Sequence, residues 1–383
     1  MISYFRKFFT SEQSGGLILL ICTAISLIIA NSQLSSAYAE FFEIKLGPTL
    51  MGFVFQKTIH TWINEGLMAV FFLLIGLEIK REMISGELSS YQKAILPVIS
   101  AVGGMIMPAF LFFIVNHNKP TVSGWGIPTA TDIAFSLAVL SLIKGIPKSI
   151  RIFLVALAVA DDIGAIILIG VFYTSSFNLL YCALSLLVFA ILFIINKLKV
   201  KNIVYYLALG LILWLVVMFS GIHSTIAGVL LAFTIPYEKG NRNSILHKIE
   251  NFLFKPVAYI ILPLFALANT GIEIQNSFFN LIKSPVSIGI IIGLCLGKPL
   301  GIVSAIYISF KCKISPLPTN TSFLNLIALG FICGIGYTMS IFISTIAFSN
   351  HVFINESKIT VLIASVISAS IGLILFKISK KII

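Results

Sequence analysis

The run RIFLVALAVADDIGAIILI, residues 151–169, decides the fold because it places two adjacent aspartates, Asp161 and Asp162, in a segment otherwise apolar enough to cross a bilayer. One aspartate at the centre of a membrane helix costs roughly 2.5–3.5 kcal/mol on insertion scales. Neighbours on a helix point ~100° apart, so at least one of them needs a cation, a proton or a basic partner. A structural contact between helices is the alternative, although such contacts usually use Ser, Thr or Asn. We therefore interpret the pair as an ion or proton site inside a membrane.

The composition of the whole chain is that of a membrane protein. Of its 383 residues, 58% are hydrophobic and 10% are charged, and the mean hydropathy is +1.05. Soluble domains contain about 25% charged residues. The apolar runs are continuous rather than alternating, which favours helices over a β-barrel. We expect an all-α membrane protein of about 12 transmembrane helices, forming a single transporter domain over residues 1–383.

The basic residues predict the orientation in the membrane. The net charge of +12 comes from Lys and Arg scattered in short loops, so we expect no nucleic-acid partner. If the amino terminus is inside, most of the 26 basic residues fall in inner segments, which places both termini in the cytoplasm. Residues 31–58 then form an extracytoplasmic connection with room for a short hairpin. Five basic residues fall outside: Lys45, Lys57, Lys119, Lys283 and Lys358.

The cysteines and the amino-terminal run predict neither cofactor nor cleavage. The five cysteines show no CxxC and no Cys/His ligand spacing, so we expect no disulfide, no metal cluster and no cofactor. The first apolar run, about Gly15 to Ala30, lacks a small-residue cleavage site. We therefore expect it to be the first span.

Lys298 is the natural counter-charge to the aspartates. It lies in GLCLGKPLG, deep in an apolar span. A lone lysine can extend its ammonium to the membrane surface, but no surface lies within easy reach here. Pairing with a buried aspartate is therefore the favoured interpretation. Gly293, Gly297 and Gly301 are four residues apart and predict a smooth helix face for close packing.

Asp132 is the third acid inside an apolar segment, in GIPTATDIAFSLAVL. Thr131 and Asp132 together offer hydroxyl and carboxylate oxygens, which suit a hard cation. Thr followed by an acid also marks a helix start, so a capping role is the alternative. Both interpretations hold if span 4 is a broken helix. The later run FICGIGYTMS, with Gly334 and Gly336, permits a matching interruption in span 11, and such pairs indicate a transporter binding site.

These motifs also resemble a known family. GWGIPTATDIAFSLAVL, RIFLVALAVADDIGAI, WINEGLMAVFFLLIGLEIKRE, GKPLGI and ICGIGYTMSIF are similar to the bacterial NhaA-type Na+/H+ antiporters, and the similarity covers almost the whole chain. The resemblance implies inverted-topology repeats with two crossing broken helices, spans 4 and 11. It implies that Asp162 is the main Na+ and proton carrier with Asp161 as its partner. Lys298 then pairs with one of them, and Thr131 and Asp132 lie at the helix break.

The family resemblance also implies a function and partners. We expect electrogenic, pH-regulated exchange of Na+ or Li+ for H+ by alternating access, and not an enzyme. We expect a multi-pass protein of the bacterial inner membrane, in contact with membrane lipid. In the family, the connection after span 1 contains a dimerisation hairpin, so a homodimer is expected here.

Some residues depart from the family pattern or only partly match it. Glu65 stands where the family usually has Asp, near the outer mouth. His223 matches a histidine linked to the pH response, but a packed polar residue at a helix start is the alternative. A cytoplasmic cluster that senses pH, or an ordinary solvated helix end, is expected from Glu78, Arg81, Glu82 and Glu250. Asn251 and Phe254 replace histidines often seen there, which suggests a shifted pH threshold.

Three other functions compete with this interpretation. An intramembrane aspartyl protease also buries two aspartates, here Asp132 and Asp162, but it leaves Lys298 without a role. A passive cation channel is a second rival, with currents far above transporter turnover. An intramembrane serine protease built on Ser220 and His223 is disfavoured because both lie at a span boundary.

Overall fold

A computed structural model describes residues 12–50, 53–143, 145–174, 177–241, 244–273, 281–319 and 321–382. Helices dominate these residues, which confirms the expected all-α membrane fold. The helices of the first half are α1 (Glu12–Ala30), α2 (Ser35–Glu43), α3 (Ile59–Ser85), α4 (Tyr91–Asn116), the 3-10 helix Pro120–Thr129, α5 (Ile133–Ser141) and α6 (Lys148–Phe172). Those of the second half are α7 (Leu179–Lys197), α8 (Ile203–Ser220), α9 (Ile226–Thr234), α10 (Ile245–Thr270), α11 (Pro285–Lys311), α12 (Phe323–Cys333), α13 (Tyr337–Ala347) and α14 (His351–Ile382).

Polar residues just before the apolar runs start several of these helices. Their side-chain oxygens accept hydrogen bonds from backbone N–H groups of the first turn, which otherwise lack partners. These caps are Asn178 for α7, Asn202 for α8, Ser244 for α10, Ser284 for α11 and Ser322 for α12.

Eight helices in the described residues are long and apolar enough to cross a membrane, and up to ten spans result if each of two bent helix pairs counts as one. The bent pairs are α1 with α2 (114°) and α12 with α13 (45°). The sequence predicts a span 4 at about Pro128 to Ile143 and a span 8 at about Ile222 to Ile235, and both correspond to shorter helices. Span 8 contains only α9, and span 4 is divided between the 3-10 helix Pro120–Thr129 and α5.

The connection after α1 contains strands as well as a helix. Strands β1 (Lys45–Leu46) and β4 (Lys57–Thr58) pair antiparallel, as do β2 (Thr49–Leu50) and β3 (Phe53–Val54). Both antiparallel pairs lie within residues 31–58, where the sequence left room for a short hairpin. Helix α2 was not expected, because its sequence SSAYAEFFE mixes polar and apolar residues without a long apolar run.

The chain divides into two compact units. Of the residues that the structure describes, unit 1 comprises those within 12–20, 87–165 and 281–382, and unit 2 comprises those within 21–86 and 166–273. In unit 1, α4 packs along α11, and α12 packs along α14. In unit 2, α3 packs along α9, and α7 packs along α8. Asp132, Asp161, Asp162 and Lys298 all belong to unit 1, so their geometry is described within one compact body.

One basic residue lies elsewhere than its sequence context suggested. Lys358 was placed in an outer loop, but it lies within α14 and is buried. The polar run NESK before the apolar segment resembles a loop, whereas the helix begins seven residues earlier, at His351.

Candidate functional site

Two interrupted segments meet in unit 1. The first is helical to Thr129 and resumes at Ile133, and the second is helical to Cys333 and resumes at Tyr337. Both interruptions fall where the sequence predicted them, at TATD and GIG. Interrupted backbone exposes N–H and C=O groups that must find partners when they are buried.

The two interruptions satisfy each other's backbone groups. The N–H of Asp132 donates to the carbonyl oxygen of Ile335 at 2.7 Å. The hydroxyl of Thr131 donates to the carbonyl of Cys333 at 2.8 Å, and the hydroxyl of Ser136 donates to that of Ile332 at 3.0 Å. The two segments are therefore joined at their breaks.

Asp132 caps two helices at once. Its Oδ1 accepts from the N–H of Phe135 at 2.9 Å, in the first turn of α5. Its Oδ2 accepts from the N–H of Thr338 at 3.1 Å and from the Thr338 hydroxyl, in the first turn of α13. One buried carboxylate thus compensates the positive amino ends of two half-helices. The residue that caps α5 is Asp132 itself, not a preceding threonine.

Lys298 and Asp161 form a buried ion pair. Nζ of Lys298 lies 2.7 Å from Oδ2 of Asp161, and the two residues are 0% and 1% exposed. The same ammonium donates to the carbonyl of Thr129, the last residue of the 3-10 helix, where a cation faces a negative helix end. Oδ1 of Asp161 is buried and accepts no hydrogen bond from the described part of the chain. One carboxylate oxygen of the pair is therefore available to an ion.

Asp162 lies next to this pair on α6 and is also buried, at 4% exposed. Two carboxylates and one ammonium give the group a net charge of −1 when all three are ionised. An unbalanced charge costs free energy in a medium of low dielectric constant, and a bound monovalent cation or proton removes it. Carboxylate oxygens are suitable ligands for a hard cation such as Na+. The charge and the ligand type of this group therefore suit a small cation or a proton.

Close packing of α11 on α4 fixes the position of Lys298 within unit 1. A Cβ on Gly301 would lie 2.1 Å from the carbonyl oxygen of Gly103, and one on Gly297 would lie 2.7 Å from Cα of Pro108. The expected glycine face is therefore in tight contact with its neighbours. Residues Gly293–Gly297 form a π-helix, which ends just before Lys298 and which the apolar pattern did not reveal. Such π-helical turns are frequent at functional sites.

The expected charged cluster forms in unit 2. Nε of Arg81 donates to Oε1 of Glu250 at 2.9 Å, and its Nη1 lies 2.9 Å from Oε1 of Glu82. Nδ1 of His247 lies 3.4 Å from Oε2 of Glu250. Glu78 is half-buried within α3, in the electrostatic range of Glu250, Arg81 and Glu82. The structure thus brings the four expected residues together and adds His247, which the sequence analysis did not single out.

Glu65 and His223, which the sequence analysis also singled out, belong to unit 2 but lie at other positions along the chain. Glu65 is half-buried in the π-helical part of α3, Trp62–Leu67, and its carbonyl accepts from Nε1 of Trp214 at 3.1 Å. Nε2 of His223 lies 3.0 Å from the carbonyl oxygen of Tyr173. The hydroxyl of Ser220 donates to the carbonyl of Val217 instead. Ser220 and His223 each contact a backbone carbonyl oxygen, which is local for Ser220 and 50 residues away for His223.

Thr338 and Thr129 were missed as partners of the site. Thr338 lies in the run GYTMS, and nothing in the sequence indicated its role. Its backbone N–H and its hydroxyl both donate to the carboxylate of Asp132. Thr129 contributes through its carbonyl oxygen, which sequence letters do not reveal. The available signal for Thr338 was its position two residues after Gly336, at the start of a second half-helix.

Comparisons with known proteins show which proteins the chain is similar to. The profile of the family "Na+/H+ antiporter 1" matches residues 6–376. The Na(+)/H(+) antiporter NhaA 2 of Flavobacterium johnsoniae is 46% identical over 376 residues, covering 98% of this chain and 92% of that protein. NhaA 1 of Clostridium beijerinckii is 46% identical over 381 residues, covering 98% and 95%. NhaA of Flavobacterium psychrophilum is 47% identical over 369 residues, covering 96% and 94%.

Proposed function

This chain belongs to the Na+/H+ antiporter 1 family, and we propose from this premise that it exports Na+ across a bacterial membrane in exchange for protons. Its relatives are named Na+/H+ antiporters, which are transporters and not enzymes. The observation that supports the proposal most strongly is the buried group of Asp161, Asp162 and Lys298 in unit 1. Membrane acids that are this deeply buried mark ion and proton pathways.

In the proposed mechanism one site binds either the metal ion or protons. Na+ binds the oxygens of Asp162 and the second oxygen of Asp161, and it displaces protons from the carboxylates. Protons arriving from the opposite side then displace Na+. Because the two carboxylates and Lys298 interact strongly, they titrate as a coupled set. Competition for the same oxygens, with access from one side at a time, is sufficient to couple the two fluxes.

The charge of the site supports electrogenic exchange. Two adjacent carboxylates can take up two protons, whereas one Na+ already neutralises a group with a net charge of −1. More protons therefore enter than Na+ leaves, and net positive charge moves inward. Li+ is an equally hard monovalent cation, so we propose that it is carried as well.

Asp132 and Thr131 have positioning roles in this proposal. Every contact of the Asp132 carboxylate described above goes to the first turn of α5 or to Thr338 in the first turn of α13. Thr131 bonds the opposite interruption. These residues fix the broken segments around the ion site, and the carboxylate of Asp132 supplies the negative charge that the converging helix ends require.

Regulation by pH is assigned to the cluster in unit 2. Arg81 lies between Glu82 and Glu250, and His247 adjoins Glu250, so a proton on any of these acids or on the imidazole changes the ion pairs of the others. Glu78 adds a further acid within the same electrostatic range. Glu65 and His223 are proposed to affect ion access and the pH response.

The proposed setting is the inner membrane, with both termini in the cytoplasm. The excess of Lys and Arg in alternate loops supports this orientation. The paired strands β1 and β4 are proposed to lie in the outer connection, where the exposed strand β1 contributes to a homodimer contact. Membrane lipid contacts the remaining apolar surface.

The decisive experiment replaces Asp162. Asp162→Asn keeps the size of the side chain but removes its charge and its exchangeable proton, so Na+-driven proton flux in everted vesicles is expected to fall to background. Glu87→Gln, in the connection between α3 and α4, is the matched control and should leave the flux unchanged. Robust Na+-dependent proton flux by Asp162→Asn would contradict the proposal.

A further inference from the structure

The carboxyl end of the 3-10 helix Pro120–Thr129 is held by side chains from two other helices of unit 1. The ammonium of Lys298 on α11 donates to the carbonyl of Thr129, the last residue of that helix. Two residues earlier, the carbonyl of Ile127 accepts from the hydroxyl of Ser340 on α13 at 2.7 Å. Ile127, Thr129 and Ser340 are 0%, 1% and 0% exposed, so both contacts are removed from water.

The hydrogen bond of Ser340 joins two segments that are 213 positions apart in the chain. A serine hydroxyl within a helix often bonds to a carbonyl of its own helix. Ser344, one turn later on α13, does so by donating to the carbonyl of Ile341 at 2.7 Å. The last carbonyls of a helix have no N–H partner within it. Ser340 therefore supplies a donor to the end of the 3-10 helix, where a donor is needed.

Pro128 connects the two contacts of this helix end. Its ring fixes the backbone angle φ, which limits how far the carbonyls of Ile127 and Thr129 can turn relative to each other. Pro128 also packs closely on α11, because a Cβ on Gly293 would lie 2.6 Å from the Cβ of Pro128. The position of the Thr129 carbonyl therefore depends on where Ser340 holds Ile127.

We propose that Ser340 is a positioning residue for Lys298, acting through the backbone of residues 127–129. By fixing the carbonyl of Thr129, it determines where the ammonium lies and how the ion pair with Asp161 is oriented. The inference rests on the proposed function, in which Na+ binds the second oxygen of Asp161. Ser340 is not itself an ion ligand in this proposal.

The contacts of the ammonium explain why the Thr129 carbonyl affects ion binding. Nζ of Lys298 donates to that carbonyl and to Oδ2 of Asp161, the latter at 2.7 Å. A buried donor that loses an acceptor is costly, so a displaced carbonyl draws the ammonium with it and turns the carboxylate. A misplaced carboxylate weakens the binding of Na+, whereas the step that changes access does not depend on it. The expected effect is therefore on the half-saturating Na+ concentration and not on the maximal rate.

The first test measures Na+-driven proton flux by full-length Ser340→Ala in proteoliposomes. Alanine removes the hydroxyl and preserves the helix. We expect the half-saturating Na+ concentration to rise about fivefold, as the loss of one hydrogen bond predicts. The maximal rate should stay within about twofold of wild type. Ser340→Cys keeps a side chain of similar size with a weak donor, so its half-saturating concentration should lie between those of Ser340→Ala and wild type.

Ser344→Ala is the matched control for this measurement. Ser344 is as deeply buried as Ser340 and lies on the same helix, but its described hydrogen bond goes to its own helix. Its half-saturating Na+ concentration should equal that of wild type. An unchanged half-saturating concentration in Ser340→Ala would overturn the proposal, as would a loss of maximal rate alone or an equal change in Ser344→Ala.

Thermal unfolding in detergent separates this inference from the proposed function. If Ser340 acts on Lys298, the loss of melting temperature in the double variant Ser340→Ala, Lys298→Ala should be smaller than the sum of the two single losses, by about 2–4 °C. The losses of Ser344→Ala and Lys298→Ala should add. If wild type shows no Na+-driven flux, the proposed function fails, and the unfolding cycle alone then decides the role of Ser340. Additive losses for Ser340→Ala and Lys298→Ala would overturn that role.

Discussion

At the scale of single residues, the chemistry of the site depends on a charge pair removed from water. Lys298 and Asp161 are each almost completely buried and lie 2.7 Å apart. Burial of such a pair gives little net stability, but loss of one partner leaves an uncompensated charge. The pair is therefore a strong constraint on which substitutions the site accepts.

Lys298→Ala should destabilise the protein by about 3–5 kcal/mol because it leaves the buried carboxylate of Asp161 without a counter-charge. Adding Asp161→Asn to that variant should recover a large part of the loss, since no buried charge remains. Thermal unfolding in detergent, with each single variant beside the double variant, gives the coupling between the two positions. Additive losses would show that the pair has no such coupling.

Residue chemistry explains what the sequence could and could not reveal. The pairing of Lys298 with an aspartate was predictable because a lone ammonium in an apolar span has few alternatives. Thr338 was not predictable, because its partner Asp132 is 206 positions away and a threonine in an apolar span is inexpensive by itself. The role of Thr129 depends on a backbone carbonyl, which every residue has.

At the scale of elements, the helix interruptions determine where the charged groups meet. TATD and GIG predicted both breaks, because Pro, Gly and capping residues disrupt helices by local rules. The π-helical turns at Trp62–Leu67 and Gly293–Gly297 could not be predicted, because one inserted residue leaves an apolar run apolar. Helix α9 was expected to be a longer span, and its observed nine residues end where Ile235 leaves the helical conformation.

Gly301→Ala tests how closely α11 must approach α4. Its new Cβ would lie 2.1 Å from the backbone carbonyl oxygen of Gly103, so one of the helices has to move. Because Lys298 lies one turn earlier on α11, we expect Na+-driven flux to fall at least tenfold, together with a loss of stability of about 1–3 kcal/mol.

The matched control is Leu300→Ala, one residue away on the exposed side of the same helix. Its stability should change by no more than about 0.5 kcal/mol, and its flux should remain. Flux assays and unfolding curves on both variants show whether the close contact between α11 and α4 is required. A Gly301→Ala variant with wild-type flux would show that the helix contact is not required.

At the scale of the whole molecule, the orientation that we propose from the distribution of basic residues is open to a direct chemical test. Cys312 is exposed just after the last turn of α11, whereas Cys295 and Cys333 are buried. A membrane-impermeant maleimide should label Cys312 from the cytoplasmic side only, and Cys312→Ser should lose that labelling. On a Cys312→Ser background, His117→Cys at the end of α4 should be labelled from the outside only. Labelling of both positions from one side would contradict the proposed topology.

The mutual hydrogen bonds of the two helix breaks have a mechanical consequence. Asp132 and Thr131 donate hydrogen bonds to the backbone carbonyls of Ile335 and Cys333, respectively. Neither interrupted segment can therefore move alone without breaking several buried hydrogen bonds at once. The four half-helices thus form a stiff clamp within unit 1. During each transport cycle we expect the four half-helices to move together as a rigid body. Bending of a single half-helix is therefore not expected to be the step that changes access from one side of the membrane to the other.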